Sequence, residues 1–317
     1  MRLLFLISFG FLLSLNTRAQ DTSQVFIPLL AYWSLNDTFP YSVQEYKLSY
    51  RNDESLRDSI GRDYLLSLVV SDTTDSTYVI RLLKKFDFDE VREQMIRIGI
   101  PESEITLIEK ELDAIILEYS IDNNGVFLEP LNVDVIQAPV QKAVERLKQN
   151  SKYAKDPVLM EALLELFARP EFTQIKYFDD LQTLHKFYGL EYALDSTWIF
   201  TEEVKNPFNP KEVLNYQNEV LTTAPEDWNG LVRQQVNITI AEADARKLMT
   251  AALIDFAAES TIKDILDKYP PQIDIYISYV INPDWGVVYA MYYEKTVYLG
   301  GKINSKQVLN MEFEGGW

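Results

Sequence analysis

Only one histidine, His185, and no cysteine occur in the 317 residues, which removes a large part of catalytic chemistry at once. Zinc sites built on two or three imidazoles or on thiolates are excluded, as is the usual di-iron pattern with two Glu-x-x-His units. The residue three before His185 is Gln182, not an acid. A Ser-His-Asp triad needs a single histidine, yet no Gly-x-Ser-x-Gly elbow is present to expose a serine. His185 falls beside Leu181, Leu184 and Tyr188 on a predicted helix, near the edge of its apolar face. We expect it to pack there and make one hydrogen bond.

Paired carboxylates are abundant, with 48 acids in the chain. Glycoside hydrolysis needs two acids roughly 5 to 10 Å apart in a cleft, one of them with a raised pKa. Glu161 with Glu165, and Asp255 with Glu259, lie four apart and share helix faces, which solvated surfaces also explain. Asp72-Thr73-Thr74-Asp75 and Asp122-Asn123-Asn124-Gly125 offer oxygen atoms to calcium but lack the twelve-residue EF-hand pattern. Turn conformation accounts for both. Gly300-Gly301 and Gly315-Gly316 are isolated pairs and read as turns, not phosphate cradles. No metal, cofactor or catalytic residue is expected.

The aromatic residues are the remaining candidates. Tyr276, Tyr279, Tyr289, Tyr292, Tyr293 and Tyr298, with Trp285, crowd 23 positions. Strand alternation sends Tyr276 to the face opposite Tyr279, so they cannot form one surface. Either these rings simply suit a half-buried sheet, or Tyr279, Trp285, Tyr289 and Tyr293 form an amphipathic platform for a glycan, peptide or apolar ligand.

The elements that would position them can be read in order. Tyr41 to Arg51 alternates as a strand, and Arg62 to Ser71 with Thr77 to Phe86 reads as a hairpin. Asp87 to Ile98 and a segment opened by Pro101 read as helices. Ile115 to Ile121 and Val126 to Leu131 form another hairpin, followed by a helix from Asp134 to Lys148. Helices at Asp156 to Phe167 and Thr173 to Tyr188 end at Gly189, a residue suited to the left-handed terminus. Strands follow at Ser196 to Glu202, Glu212 to Thr222 and Val232 to Ile240. The two prolines of Asn206-Pro207-Phe208-Asn209-Pro210 predict a loop. Thr239-Ile240-Ala241-Glu242 has capping-box spacing ahead of a helix carrying Ala245, Leu248, Met249, Ala252, Leu253 and Phe256 on one face. Ile273 to Ile281 alternates as a strand, Trp285 to Glu294 pairs back across Asn282-Pro283-Asp284, and Val297 to Ile303 and Gln307 to Phe313 predict two final strands.

Two halves echo each other. Glu102-Ser103-x-Ile105-x-x-Ile108 recurs as Glu259-Ser260-x-Ile262-x-x-Ile265, and each copy leads to a strand tyrosine, a polar turn and Gly-Val. Duplication of a strand–helix–hairpin unit would produce this, as would shared helix and hairpin grammar. The expected fold is α+β, with antiparallel sheets packed against amphipathic helices. An N-terminal half (20–155) and a C-terminal half (191–317) are joined by a helical connector (156–190).

Met1 to Ala19 reads as a cleaved signal peptide: Arg2, an apolar run from Leu3 to Leu15, then Thr17-Arg18-Ala19. The run is too short to span roughly 30 Å of hydrocarbon. Cleavage would remove Arg2 and Arg18 and no acid, so the 30 basic residues fall to 28 against 48 acids, a net charge near −20. Such a surface disfavours nucleic acid and anionic head groups. Without cysteine there is no lipid attachment at a mature N-terminus, and the expected location is the periplasm or outside the cell.

Four segments resemble a group of exported Bacteroidota proteins of unknown function. They are Tyr32-Trp33-Ser34-Leu35-Asn36-Asp37; Asp75-Ser76-Thr77-Tyr78; Tyr119-Ser120-Ile121-Asp122-Asn123-Asn124-Gly125-Val126-Phe127 running to Asn132; and His185-Lys186-Phe187-Tyr188-Gly189 with Asn206-Pro207-Phe208. The resemblance implies a shared architecture and an envelope or extracellular location, and no reaction. The expectation is a non-enzymatic binding or envelope-assembly protein for a partner protein or an apolar or glycan ligand. A carboxylate-dependent extracellular hydrolase is the alternative.

Overall fold

The structure, a computed structural model, describes residues 25–84, 100–113, 116–150, 181–225, 230–254 and 257–315, together with Arg92 and Ile96. The leader at 1–19, the helices expected at 87–98 and 156–167, and the pairs Glu161/Glu165 and Asp255/Glu259 lie wholly or partly outside these residues.

Thirteen strands are described: β1 Phe26–Leu29, β2 Thr38–Tyr50, β3 Leu56–Thr73, β4 Thr77–Lys84, β5 Leu117–Asp122, β6 Phe127–Pro130, β7 Leu190–Ala193, β8 Ser196–Asn206, β9 Asn209–Thr223, β10 Val232–Ile240, β11 Pro271–Asn282, β12 Val287–Leu299 and β13 Lys302–Phe313. Four helices accompany them: α1 Glu102–Asp113, α2 Val133–Asn150, α3 Glu242–Leu253 and α4 Glu259–Lys268. Eleven strands form one antiparallel sheet, ordered β6-β5-β4-β3-β2-β13-β12-β11-β10-β9-β8, and β1 pairs with β7 in a separate ribbon. The antiparallel sheet is as expected, but the balance is corrected: among the described residues strand outweighs helix more than twofold, and the strands of both halves merge into one open sheet. The seam is the β2–β13 ladder, which sets Met311 against Val43 and Leu309 against Glu45.

Alternation gives the sheet two unlike faces. Tyr41, Val43, Leu66, Leu68, Ile80, Tyr119, Val236, Ile277, Tyr279, Met291, Leu309 and Met311 point into one buried cluster, and we call this the core face. A second cluster, Leu214, Ile240, Ala245, Leu248 and Ile273, forms where α3 lies on β9 and β11. The outer face is mixed: Arg81 bonds Glu118, Gln235 donates to Tyr276, and Lys306 pairs with Glu294, while Leu65, Leu83 and Ile199 stand exposed between such groups. Tyr46 lies over Gly61 on that face, where any side chain at position 61 would collide with its ring.

Three local expectations change. Asn206 to Pro210 is a tight hairpin, not an open loop: Asn206 pairs with Asn209, and the Asn206 side chain accepts the Phe208 amide, so Pro207 sits in the turn without needing a donor. The capping box does not form, because Thr239 is held in the β10–β11 ladder opposite Asp274 and the helix starts from Ala241 with no side-chain cap. Val297 continues β12 instead of starting a new strand. Gly300 and Gly301, at φ of 60° and 76°, supply the left-handed turn into β13.

Candidate functional site

The centre of the core face is built from the tips of two hairpins and one short segment of chain. β5 and β11 each carry a tyrosine, Tyr119 and Tyr279, and each runs into a polar turn ending in Gly-Val. Asp122 Oδ1 accepts the amides of Asn124 and Val126, and Asn282 Oδ1 accepts those of Asp284 and Trp285. Both tips reach the helical segment at 181–185 and the turn to Gly189. The Tyr279 hydroxyl donates to the Thr183 carbonyl at 2.8 Å. Tyr119 Oη lies 3.0 Å from His185 Nε2, and His185 Nδ1 lies 2.8 Å from the Gly125 carbonyl. The Gly286 carbonyl accepts from both Tyr188 Oη at 2.8 Å and Trp33 Nε1 at 3.1 Å.

This arrangement assigns the histidine proton. A carbonyl oxygen can only accept, so Nδ1 carries the hydrogen and Nε2 accepts from the Tyr119 hydroxyl. His185 is 1% exposed, and its removal from water lowers its pKa to about 4, against the opposing bond to Gly125. The same burial drives the hydroxyls of Tyr41, Tyr119, Tyr188 and Tyr279 upward, keeping them neutral. His185 is therefore a fully occupied core residue with two hydrogen bonds, not the boundary residue with one expected from its helix. A neutral imidazole with both nitrogens engaged and no solvent contact has no lone pair or proton to offer a substrate.

The four tyrosine and tryptophan candidates separate. Tyr279, Tyr289 and Tyr293 share the core face, while Trp285 stands 52% exposed in the β11–β12 turn. Tyr279 is buried in the hub just described. Tyr289 stacks on Phe313 with centroids 5.5 Å apart, and its hydroxyl accepts from Asn282 Nδ2. Tyr293 is half-buried in a row between Leu309 and Ile277. Tyr276, Tyr292 and Tyr298 lie on the outer side, as alternation requires. Among the described residues no three His, Asp or Glu side chains gather where they could hold a metal ion.

A charged row on the core face went unremarked in the sequence. Glu45, 3% exposed, accepts two bonds from the Arg62 guanidinium through Nε (2.7 Å) and Nη2, and Lys47 Nζ lies 3.3 Å from its other oxygen. Gln307 and Lys295 continue the row on β13 and β12, since Lys47 pairs with Gln307 and Gln307 with Lys295. The signal was legible: Phe39, Tyr41 and Val43 fix the parity of β2, and the same parity carries Glu45 and Lys47 onto that face. Two further polar atoms, Asn218 Oδ1 and Gln234 Oε1, are buried on the core face with no hydrogen-bond partner among the described residues.

No family model matches the chain, and no curated protein matches it. Nine chains of solved structures do. One of them, described as lipid–protein interactions in lipovitellin, is 9% identical with a TM-score of 0.40, over 89% of this chain and 25% of that one. This chain thus spans about a quarter of that protein's length, and at this score the likeness identifies neither a family nor a ligand.

Proposed function

We propose that this is an exported, non-catalytic binding protein that holds an apolar or amphipathic ligand against the core face of its sheet. The observation carrying this reading is that the apolar face is wider than the hub that fills its centre. Away from the hub, Tyr64, Tyr293, Ile275 and Phe200 on that face keep partial solvent contact, and Trp198, at the β8 edge, is 44% exposed with its ring 4.6 Å from that of Phe200. Apolar side chains that stay half-exposed beside a packed core favour an apolar partner. The occupation of His185 and of the buried tyrosine hydroxyls in internal bonds favours binding over hydrolysis. Export to the periplasm or beyond follows from the leader-like first nineteen residues and from the resemblance to exported Bacteroidota proteins.

The test is mass spectrometry of organic extracts from protein purified out of its native host. One apolar molecule per chain is expected. Enzyme-like turnover of glycans, esters or peptides by the purified protein would overturn the reading. So would an empty protein that recovers only a second envelope protein as a stoichiometric partner.

A further inference from the structure

We infer that the ligand on the core face is a lipid-like amphiphile with one anionic headgroup, and that Lys295 and Lys47 receive that headgroup. The inference rests on the binding reading above and adds the chemistry of the ligand. Ladder register aligns Lys47, Gln307, Lys295 and Ile275 across β2, β13, β12 and β11. The neighbouring row is Glu45, Leu309, Tyr293 and Ile277. The two lysines stand two strands apart, about 10 Å at the backbone, and their flexible stems can bring both ammonium groups over Gln307.

Charge in this row runs against the rest of the molecule. The chain carries a net −18, yet among the described residues the acid that Arg62 and Lys47 pair with, one strand row from Lys295, is Glu45. That acid is committed to the Arg62 fork on one oxygen and to Lys47 on the other. Lys295 is half-buried, and its side chain makes no hydrogen bond or ion pair among the described residues. A lysine in such surroundings, flanked along β12 by Tyr293 and Val297, is complementary to an anion delivered by an apolar body. An extended peptide fits less well. The core face offers it side chains only, and every buried peptide N–H and C=O would need a partner that the interior of a paired sheet cannot supply.

The experiment compares a fluorescent conjugated fatty acid with its methyl ester, titrated at low salt into purified, delipidated protein. The acid is expected to bind about tenfold tighter than the ester. In the Lys47→Met, Lys295→Met double variant the acid should fall to the affinity of the ester. The ester itself should change less than about threefold, which reports that the sheet is intact. Equal affinity for acid and ester in the native protein overturns the headgroup assignment and leaves the binding reading standing. An acid preference that survives in the double variant also overturns it. Failure of both probes to bind the native protein removes the binding reading as well.

Discussion

Tyr119 and Tyr279 occupy equivalent places in two hairpins 160 residues apart, and their hydroxyls end two residues apart on one helical turn, at His185 and Thr183. Each is fully buried, each follows a helix carrying a buried isoleucine of the Glu-Ser-x-Ile sequence (Ile105 in α1, Ile262 in α4), and each precedes an Asx-closed turn with a positive-φ glycine. The 181–189 segment thus clasps the hairpin tips of both halves. Its removal would leave both tyrosine hydroxyls and the Gly125 carbonyl without partners and the Gly286 carbonyl with Trp33 alone, so the centre of the sheet depends on it.

Acid should loosen that clasp. The His185 pKa is about 4 in the folded chain against an ordinary 6.5, so the unfolded chain binds the proton more readily. Stability from this group is complete above pH 6.5 and is lost as pH falls towards 4, by up to about 3 kcal/mol at about 1.4 kcal/mol per unit. Urea midpoints from pH 7 to pH 4 measure it. His185→Gln removes the titration, and the difference between the two proteins across that window should shrink by this amount. Parallel profiles for both proteins would contradict the assignment.

The Gly286 turn tolerates no side chain. A Cβ there would sit 1.8 Å from the Leu30 carbonyl oxygen, on a backbone at φ +61°. Gly301, at φ +76°, has nothing within 4 Å of its Cβ position. Gly301→Ala should therefore cost only the left-handed penalty, about 1 kcal/mol. Gly286→Ala should cost about 3 kcal/mol or more, because the 29–31 segment must move and Trp33 and Tyr188 lose their shared acceptor. Thermal melts of the two variants give the comparison.

Among the described residues Glu45 pairs with Arg62 and Lys47, and the two pairs are of unequal worth. Arg62→Met leaves a 3%-exposed carboxylate without its guanidinium fork and should cost about 3 kcal/mol. Lys47 is 47% exposed, so Lys47→Met should cost less than about 1 kcal/mol. Denaturant unfolding of both variants decides; equal losses would mean that Lys47 contributes as much as Arg62 to neutralising the buried acid, against the unequal worth expected here.

Gln234, whose Oε1 is buried without a hydrogen-bond partner among the described residues, lines a space of about 10 Å³ together with Ile27, Leu29, Tyr192, Thr222, Val232, Ile281 and Pro283. That volume approaches the minimum for one water, and Thr222 adds a hydroxyl to the wall. A high-resolution crystal structure should place an ordered water in hydrogen-bond contact with Gln234 Oε1. An empty void there would leave the glutamine an uncompensated cost of about 1–3 kcal/mol, in which case Gln234→Leu should stabilise the protein.

Period-two alternation was enough to assign most strands and their faces. Val232–Ile240 matches the observed β10, and the split of Tyr276 from Tyr279 holds across the sheet. Turn chemistry at Asp122 to Gly125 and at Gly189 was equally readable, because the responsible side chains and backbone angles are local to a few residues. What each strand lies beside is a long-range matter. Nothing near Gln307 in the chain announces that it will sit within 3.5 Å of Glu45, 262 positions away, and merge two halves into one sheet. His185 shows the same division. Its helical neighbours revealed an apolar face, but whether that face met solvent or core depended on two hairpin tips converging from opposite ends of the chain. Parity along a strand is a property of the backbone, whereas neighbourhood across a sheet is settled by how all the apolar faces bury one another together.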